Sequence, residues 1–244
     1  MLVRNGVVWQ KGELLLTYCM SDLHGMYDKY LAMLEKINLR AEDTLYILGD
    51  LSDRGPDGLK IILDADRREN VICLRGNHDD LALELLDGSE KENADAMTNR
   101  IRKKYELFAF WFSVGGETTL REFMKRSERD RQHVIWFWRG MPYCEQIEAG
   151  GRRFLLAHTV PARERIIGVE EIDLKDFLEP IPEYGSVYFK DRLIVTGHTP
   201  TYFIDERYEG RIWKGNDHIA IDCGASFGGT LGCICLDTME EFYV

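Results

Sequence analysis

The chain has 244 residues, of which 45% are hydrophobic and 11% aromatic, enough to bury the core of a single domain over residues 1–244. Its formal net charge of −11 disfavours stable nucleic-acid binding, because phosphate backbones would be repelled. No apolar run approaches the roughly 20 residues that cross a bilayer, and the N-terminal segment lacks a signal-peptide core. We therefore predict a cytoplasmic protein with no membrane partner.

In chain order, short segments rich in Val, Ile, Leu and Tyr alternate with segments of helical period, which is the pattern of an α/β fold. In the first part of the chain, each predicted strand is followed by a helix. The strands are expected at 13–20, 44–50 and 70–77, and the helices at 27–39, 55–68 and 79–86. The apolar face of the first helix is predicted to consist of Tyr30, Leu31, Leu34 and Ile37.

The spacing of three polar residues predicts how the first strands pair. Asp22 and Asp50 are 28 residues apart, and Asp50 and Asn77 are 27 apart. Each interval is close to the roughly 30 residues of a βαβ unit, so the three strands are expected to be parallel neighbours. A helical insertion is predicted at 88–140, and a surface loop with a short helix at 164–183. Further strands are expected at 152–158, 193–198, 218–224 and 231–237.

The six cysteines are scattered, and several lie within apolar strand-like runs. This distribution is typical of reduced thiols in a core rather than of a disulfide framework. Cys233 and Cys235 are two residues apart on a predicted strand and so face the same side. Because no matching pair of metal-binding residues accompanies them, we interpret both as core residues rather than as a soft-metal or redox site.

Residues that can bind metal ions follow five of the predicted strands. They occur in SDLHG (21–25), GDLSDRG (49–55) and GNHD (76–79), and at His158 and His198. Singly, an Asp after a strand is usually a turn former or helix cap, and a strand-end His is usually a hydrogen-bonded polar group. Because the carboxyl ends of neighbouring strands in an open α/β sheet meet in one crevice, their joint occurrence favours a metal site.

Two details support this interpretation. Asp22 and His24 are separated by one residue, so an extended backbone turns both side chains the same way and lets them share one ion. Four of the six histidines lie at strand ends, in turns rich in glycine or other small residues that permit close approach. His133 and His218 lie outside the pattern and are interpreted as structural.

These motifs, together with GHTP (197–200), resemble the signature of the calcineurin-like metallophosphoesterases. The variant is that of the phosphoprotein phosphatase branch, which contains protein Ser/Thr phosphatases and symmetrical dinucleoside tetraphosphatases. FWFSVGGETTL (110–120) is also similar to an element of small bacterial members. The resemblance implies a central β-sandwich flanked by helices, a four-layer αββα fold, with 88–140 inserted.

The resemblance also implies how two divalent metal ions would be held. One ion would be bound by Asp22 and His24, the other by Asn77, His158 and His198, with Asp50 bridging the two. Mixed ligation by imidazole, carboxylate and amide suits Mn, our preferred assignment, or Fe or Zn, better than Ca. Such a pair of ions lowers the pKa of a bridging water, and the resulting hydroxide is expected to attack phosphorus in line.

Three further residues are expected to act on the phosphate and the leaving group. His78 is the predicted general acid, and Asp53 is the carboxylate that orients it and favours the imidazolium. Arg54 supplies a planar fork suited to two phosphate oxygens, with Asn77 as a second substrate-binding residue. The alternative for Arg54 is a structural ion pair with Asp79.

Two features depart from the family pattern. The branch usually has Glu at the position of Asp79, although dinucleotide-cleaving members also have Asp there. HTVPARERI (158–166) replaces the usual His-Ala-Gly, and 164–192 contains no evident Trp-containing motif with a second phosphate-binding arginine. Arg163, Arg165 and Arg192 are the candidates for that arginine.

The substrate class is left between two alternatives. GDLSDRG and the Gly-Gly-Thr-Leu element favour a protein Ser/Thr phosphatase, acting on phosphate monoesters of phosphorylated proteins or peptides; this is the leading interpretation. Asp79, with aromatic residues that could stack on a base, favours a nucleotide polyphosphate and a symmetrical bis(5'-nucleosyl)-tetraphosphatase. These aromatic residues are Trp111, Trp136 and Trp138, although most of them are expected in the core.

Two further alternatives concern the charge of the insertion and whether the protein is an enzyme at all. Residues 100–131 contain nine basic and five acidic side chains, which form either an ordinary solvated helix face or a patch that attracts an anionic substrate. A non-catalytic binding module on the same fold is a third function, disfavoured because every expected ligand position is filled. The sequence does not predict an oligomeric state.

Overall fold

The computed structural model describes residues 3–4, 7–8, 15–87, 97–162, 166 and 173–244. The strands, in chain order, are β1 (Val3–Arg4), β2 (Val7–Val8), β3 (Thr17–Met20), β4 (Thr44–Ile47), β5 (Val71–Cys73), β6 (Cys144–Ala149), β7 (Arg152–Ala157), β8 (Leu193–Thr196), β9 (Trp213–Gly215), β10 (His218–Ala220), β11 (Gly232–Cys235) and β12 (Glu241–Tyr243). The α-helices are α1 (Tyr27–Lys36), α2 (Gly58–Ala65), α3 (Asn77–Leu86), α4 (Met97–Ser113), α5 (Gly116–Lys125), α6 (Glu128–Gly140) and α7 (Thr201–Ile204).

The first of two five-stranded sheets has the order β12-β11-β3-β4-β5. Strands β3, β4 and β5 are parallel neighbours, as the spacing of the three polar residues predicts. Strand β11 pairs antiparallel with β3 on one side and with β12 on the other. All three parallel strands therefore end at the same edge of this sheet, where SDLHG, GDLSDRG and GNHD follow them.

The second sheet has the order β6-β7-β8-β10-β9. Strands β7, β8 and β10, which correspond to three predicted strands, run parallel, whereas β6 and β9 are antiparallel edge strands. Both edge strands were missing from the sequence prediction. Strand β6 has the sequence CEQIEA and is mostly half-exposed or exposed, so it lacks the apolar run by which buried strands are found.

The two sheets face each other across a buried core. This core contains Cys19 and Leu48 from the first sheet side, and Phe154, Leu156 and Val195 from the second. A larger core lies between the first sheet and helices α1–α6. A third cluster covers the outer face of the second sheet with a 3₁₀ helix and loops. The central sandwich with flanking helices is the predicted fold class, which is confirmed.

Helix α1 is rotated relative to the prediction. Its buried side chains are Tyr30, Met33, Leu34 and, just past its end, Ile37, whereas Leu31 is 39% exposed. The assignment of Leu31 to the core face was wrong. Leu31 and Met33 lie at opposite edges of the apolar face, so the sequence pattern alone does not decide which of them is buried. In the structure the buried residues follow the i, i+3, i+4, i+7 pattern that includes Met33.

The insertion consists of helices α4, α5 and α6 within the described residues, while its segment 88–96 lies outside them. These helices pack on α2 and α3 and bury Trp111 and Trp138 completely. The six cysteines are free thiols, and Cys233 and Cys235 face the same core. Among the described residues, no helix combines the length and apolar character needed to cross a bilayer.

Candidate metal centre and active site

The six predicted ligands converge where the parallel strands of both sheets end. The Oδ2 atom of Asp50 lies 3.5 Å from Nε2 of His24 on one side and 3.5 Å from Nε2 of His158 on the other. Nε2 of His158 is in turn 2.9 Å from Oδ1 of Asn77 and 3.0 Å from Nδ1 of His198. The carboxylate of Asp50 therefore stands between two groups of potential ligands, as a bridging residue would.

Asp22 completes the first group. Its Oδ1 lies 4.0 Å from Nε2 of His24, while its Oδ2 accepts hydrogen bonds from the backbone N–H of His198, at 3.0 Å, and from the hydroxyl of Ser21. Single potential ligand atoms of Asp22, Asp50 and His158 lie within 4.8 Å of one another. Asp22 thus faces the centre with one oxygen and fixes the GHTP turn with the other.

Backbone contacts determine which nitrogen each histidine presents. Nδ1 of His24 lies 2.9 Å from the carbonyl oxygen of Ser52, and Nδ1 of His158 lies 2.8 Å from that of Leu48. A carbonyl oxygen can only accept, so each Nδ1 carries the proton and each Nε2 offers a lone pair toward Asp50. This arrangement, with the second nitrogen held by a backbone carbonyl, is typical of histidines that ligate metals.

The electrostatics of the histidines favour the same neutral form. Burial, with the neighbouring His78 and Arg54, lowers the pKa of His24 well below its usual value. Burial and the adjacent His158 lower the pKa of His198 to about 3. Neutral imidazole is the form that binds divalent metal ions, so the donor set fits the two ions that the sequence predicts.

The loops that carry the site adopt strained backbone conformations. Of the ten non-glycine residues with positive φ among the described residues, six belong to the predicted site: Asp22, His24, Asp50, Asp53, Arg54 and His198. Left-handed conformations cost such residues on the order of 1–3 kcal/mol each and cluster at functional sites, where the surrounding structure enforces them. The strained backbone of the turns after the strands therefore indicates a functional role, because a relaxed backbone would be more stable.

Two glycines allow these turns to touch. A Cβ on Gly76 would lie 2.1 Å from Oδ1 of Asp50, and a Cβ on Gly197 would lie 2.1 Å from Oδ2 of Asp22. Either contact is far inside van der Waals distance. The glycines of GNHD and GHTP thus permit loop-to-loop packing beneath the site.

His78 differs from the other strand-end histidines because its partner is a carboxylate. Its Nδ1 lies 2.7 Å from Oδ2 of Asp53, and both residues are buried. Burial alone would lower the pKa of His78, but the charge of Asp50 and the hydrogen bond and charge of Asp53 outweigh it and raise the pKa. The raised pKa favours the protonated imidazole, which is the form that donates a proton.

The carboxylate of Asp53 is held by two residues of the insertion. Nε1 of Trp111 donates to its Oδ2 at 2.8 Å, and the hydroxyl of Thr119 donates to its Oδ1 at 2.6 Å. Neither contact with Asp53 was predicted, since Trp111 was considered only as a base-stacking or core residue and Thr119 was given no role. The only signal was the similarity of FWFSVGGETTL to a family element, since contacts over 58 and 66 residues cannot be read from local patterns.

Arg54 lies between the proposed acid and the first ligand group. Its Nη1 is 2.6 Å from Nε2 of His24, and its Nη2 is 3.1 Å from Nε2 of His78. Its backbone N–H donates to the carbonyl of Gly115, whose φ of +106° brings the α4–α5 junction against it. The two terminal nitrogens of the guanidinium group therefore lie beside His24 and His78, where the oxygens of a phosphate close to the predicted acid, His78, would be found.

The family model for calcineurin-like phosphoesterases matches residues 15–228 of the chain. The chain belongs to this family. Members of this family are phosphoesterases that use divalent metal ions. The resemblance that the sequence motifs carry is confirmed.

Curated relatives of this phosphoesterase include two types of dinucleotide hydrolase. The asymmetrical bis(5'-nucleosyl)-tetraphosphatase PrpE of Geobacillus thermodenitrificans is 27% identical to it across 86% of each chain. A symmetrical bis(5'-nucleosyl)-tetraphosphatase of Buchnera aphidicola is 29% identical over 93 residues, 37% of this chain and 34% of the relative. The chain therefore spans only about a third of that relative's length.

Solved structures share the fold of the phosphoesterase at low identity. One described as a candidate diadenosine tetraphosphatase has a TM-score of 0.63 and 17% identity, covering 94% of this chain and 92% of the other. A protein serine/threonine phosphatase from Saccharomyces cerevisiae has a TM-score of 0.58 and 14% identity, covering 91% and 72%. These likenesses show the two-sheet fold and do not select a substrate.

Asp79 supports the backbone around Asp50, the predicted bridging residue. Its carboxylate accepts hydrogen bonds from the backbone N–H of Asp50 at 2.8 Å, of Leu51 at 3.3 Å and of Gly76 at 3.1 Å. Among the described residues it forms no ion pair with Arg54, so the pairing with Asp79 that the sequence allows is not present. Asp79 is fully buried and its carboxylate contacts the backbone, so it cannot contact the substrate directly.

The structure does not bring Arg192 to the site. This residue precedes β8, whereas His198 follows it, so the two lie at opposite ends of the strand. Its guanidinium contacts Asp191 and Gln146 and stacks on Phe189. Arg163 and Arg165, which the sequence also allows as a second phosphate-binding arginine, lie outside the described residues.

Four of the nine basic residues in 100–131 form ion pairs on their own helices. Ion pairs join Arg102 to Glu106, Arg121 to Glu117, Arg126 to Glu122 and Arg131 to Glu128. The side chain of Arg100 lies outside the described residues. For these four residues the pairs support the interpretation as a solvated helix face.

The tryptophans proposed as base-stacking residues do not line the site. Trp111 and Trp138 are completely buried, and Trp111 uses its indole N–H to hold Asp53. Trp136 is 65% exposed, but it lies on α6 beside His133. His133 pairs at the surface with Asp66 at 2.7 Å, in agreement with a structural role.

His218, which also falls outside the strand-end pattern, lies away from the ligand groups. It is buried, with Nε2 2.8 Å from the hydroxyl of Thr196, and burial lowers its pKa to about 3. Its ring stacks on Tyr184. These contacts agree with a structural role in the second sheet.

One acidic residue near the centre was not predicted. Asp222 follows β10, is buried, and accepts a hydrogen bond from the backbone N–H of Gly224 at 2.9 Å. Burial, and then the charge of Asp22, raise its pKa well above the usual range. The signal was present in HIAIDCG, because this Asp follows a strand just as Asp22 and Asp50 do.

Proposed function

We propose that this phosphoesterase hydrolyses its substrate at a two-metal site whose ligands are Asp22, His24, Asp50, Asn77, His158 and His198. The observation that carries the proposal is the position of Asp50, whose Oδ2 is 3.5 Å from Nε2 of a histidine on each side. Both nitrogens present lone pairs, because backbone carbonyls hold the other ring nitrogens. This arrangement supports the proposal that Asp50 would be shared by two cations.

We assign one ion to Asp22 and His24, the other to Asn77, His158 and His198, and both to Asp50. The mixture of imidazole, carboxylate and amide ligands supports manganese, with iron or zinc as alternatives. When bound, the two ions supply a water of lowered pKa and neutralise charge on the phosphate. No sulfur ligand belongs to the proposed set, which agrees with the burial of five of the six cysteines.

The surrounding side chains orient the phosphate and supply the proton. Arg54, whose Nη1 and Nη2 lie beside His24 and His78, would bind two phosphate oxygens, and the amide of Asn77, beside His158, would bind the substrate as well. His78 donates its proton to the leaving oxygen, and Asp53 keeps the imidazole protonated and oriented until then. Trp111 and Thr119 keep Asp53 in place.

We further propose a nucleotide polyphosphate, such as a dinucleoside tetraphosphate, as the substrate. The support is the bis(5'-nucleosyl)-tetraphosphatase of Geobacillus thermodenitrificans, which is related over 86% of each chain. The second candidate is phosphoserine or phosphothreonine in a protein, as for a Ser/Thr phosphatase. GDLSDRG and the Gly-Gly-Thr-Leu element favour it, and this element contacts two of the proposed site residues, Gly115 with Arg54 and Thr119 with Asp53.

A substrate panel tests both proposals. Metal-free protein would be reloaded with Mn²⁺, Fe²⁺ or Zn²⁺ and assayed with diadenosine tetraphosphate and with phosphoserine, phosphothreonine and phosphotyrosine peptides. We expect diadenosine tetraphosphate to be cleaved fastest, with activity lost in Asp50→Asn and His78→Asn but kept in the matched control His133→Asn. Much faster cleavage of phosphopeptides would select the Ser/Thr phosphatase, and full activity in Asp50→Asn would refute the two-metal site.

A further inference from the structure

An exposed aromatic side chain lies beside the proposed phosphate-binding arginine. Phe227 is 60% exposed, and Cζ of Arg54 lies 4.7 Å from the centre of its ring. The adjacent Ser226 accepts a hydrogen bond from Nη1 of Arg54 at 3.3 Å. Since the same nitrogen is 2.6 Å from Nε2 of His24, the ring is separated from the proposed metal centre by one side chain.

The turn that carries Phe227 is tied to helix α1. It is a short 3₁₀ helix, Ala225–Phe227, between two glycines with φ values of 75° and 86°. The ammonium of Lys29 donates to the carbonyl oxygen of Ala225 at 3.0 Å and to that of Gly229. One side chain of α1 therefore holds both ends of the turn, and the ring is presented from a fixed position.

Neither the core nor the proposed hydrolysis uses this ring. An aromatic side chain left at the surface forgoes the stabilisation that burial would contribute. Arg54 is already placed by the backbone of Gly115 and by contacts with two histidines. Supporting the arginine therefore does not account for an exposed π surface at this position.

A planar ring next to a phosphate-binding guanidinium suits a ligand that joins a planar group to phosphates. Nucleobases are such groups, and they stack on aromatic side chains irrespective of base identity. Phosphoserine and phosphothreonine carry no planar ring near the phosphate. The geometry therefore favours a nucleotide over a phosphorylated protein.

We propose that Phe227 is the base-stacking residue of the enzyme, so that a nucleotide polyphosphate binds Arg54 through its phosphates while its base lies on the Phe227 ring. This inference rests on the proposed function and deepens it. Phe227 determines specificity in this scheme and takes no part in the chemistry.

The test compares two substrates that differ in the presence of a base. Diadenosine tetraphosphate and inorganic tripolyphosphate both contain phosphoanhydride bonds, but only the first has bases. In Phe227→Leu, which removes the π surface, the ratio of kcat/KM for the dinucleotide to that for tripolyphosphate should fall about ten-fold or more, as expected for one lost stacking contact. Phe110→Leu, at a 55% exposed position on α4, is the matched control and should not change the ratio.

A conservative variant adds a binding measurement. Phe227→Trp enlarges the π surface and should retain or raise the ratio, which also shows that the turn tolerates substitution. Binding of ADP should quench the tryptophan emission of Phe227→Trp more than that of the wild-type protein, because the base would stack on the introduced indole. Equal quenching in the two proteins would overturn the proposal.

The remaining outcomes separate this inference from the proposed function. A parallel fall for both substrates in Phe227→Leu would mean that the ring only supports Arg54, and an unchanged ratio would mean that no base stacks there. If the metal-loaded wild type cleaves phosphopeptides but not the dinucleotide, the base-stacking role is refuted while the two-metal phosphoesterase stands. If it cleaves no phosphate substrate, both are refuted.

Discussion

The substitution Asp53→Asn tests whether the buried pair of Asp53 and His78 supplies the leaving-group proton. The two side chains are 2.7 Å apart, and His78 is 3% and Asp53 0% exposed, so the charge of Asp53 acts with little screening by solvent. A neutral amide would no longer stabilise the imidazolium. A positioned general acid contributes about 10²–10⁴-fold to the rate, and only for leaving groups that need a proton.

The assay therefore compares leaving groups in the same enzyme. Hydrolysis of a phosphoserine peptide, which releases a strongly basic alkoxide, should fall about 100-fold or more in Asp53→Asn. Hydrolysis of p-nitrophenyl phosphate should fall far less, because nitrophenolate leaves without protonation. An equal loss on both substrates would refute the reasoning and would mean that Asp53 acts by maintaining the metal site.

The same variant has a predicted effect on the pH profile. The pKa of His78 is raised, since the charges of Asp50 and Asp53 outweigh its burial. The acid must be protonated, so the rate falls as the pH rises through the pKa of His78. Removing the charge of Asp53 lowers that pKa, and the alkaline limb for phosphoserine should move to lower pH. A limb that stays in place would exclude His78 as the titrating group.

Three further predictions concern the packing of the site, an ion pair away from it and the metal ions. Gly76→Ala places a methyl group 2.1 Å from Oδ1 of Asp50. The affinity for Mn²⁺, measured by calorimetry, should therefore fall 10- to 100-fold, which is about the loss seen when the residues that support metal ligands are removed. The control is Gly140→Ala, whose Cβ meets nothing within 4 Å and which should bind Mn²⁺ normally. Hydrogen bonding to Arg40 lowers the pKa of Asp43, so this carboxylate stabilises the fold above its unfolded pKa and loses that contribution as the pH falls through its folded pKa. Asp43→Asn should therefore lower the free energy of unfolding by about 1–3 kcal/mol at neutral pH, and the difference from the wild type should become smaller in acid. Urea denaturation at several pH values measures this difference. A difference that does not change with pH would refute the prediction. Chelation of the metal ions should lower the thermal unfolding midpoint, because ions that bind only the folded state stabilise it by mass action, and an unchanged midpoint would contradict this.

Residues at the ends of buried strands could be predicted from the sequence because two signals coincide there. An apolar run locates each strand, and the polar residue that ends it, such as Asp50 or His198, marks the carboxyl edge. The topology then brings distant positions together without any knowledge of side-chain contacts. Asp222 obeys the same rule, but it lies inside the predicted strand 218–224 and so was not recognised as the residue that ends it.

Other features depend on contacts that no local pattern encodes. The burial of Met33 instead of Leu31 depends on how helix α1 is rotated against the sheet. Trp111 and Thr119 reach Asp53 only after the insertion has packed on the first sheet and its helices. Phe227 gains its significance from Arg54, which lies 173 residues earlier in the chain.

The two-metal centre bridged by Asp50 is tested most directly by electron paramagnetic resonance and metal analysis of Mn²⁺-loaded protein. Two Mn²⁺ ions per chain with an exchange-coupled spectrum are expected, because one carboxylate oxygen faces both ligand groups. In Asp50→Asn the coupling should disappear, and at least one ion should be lost. A single ion per chain in the wild type, or two ions without magnetic coupling, would contradict the bridged site.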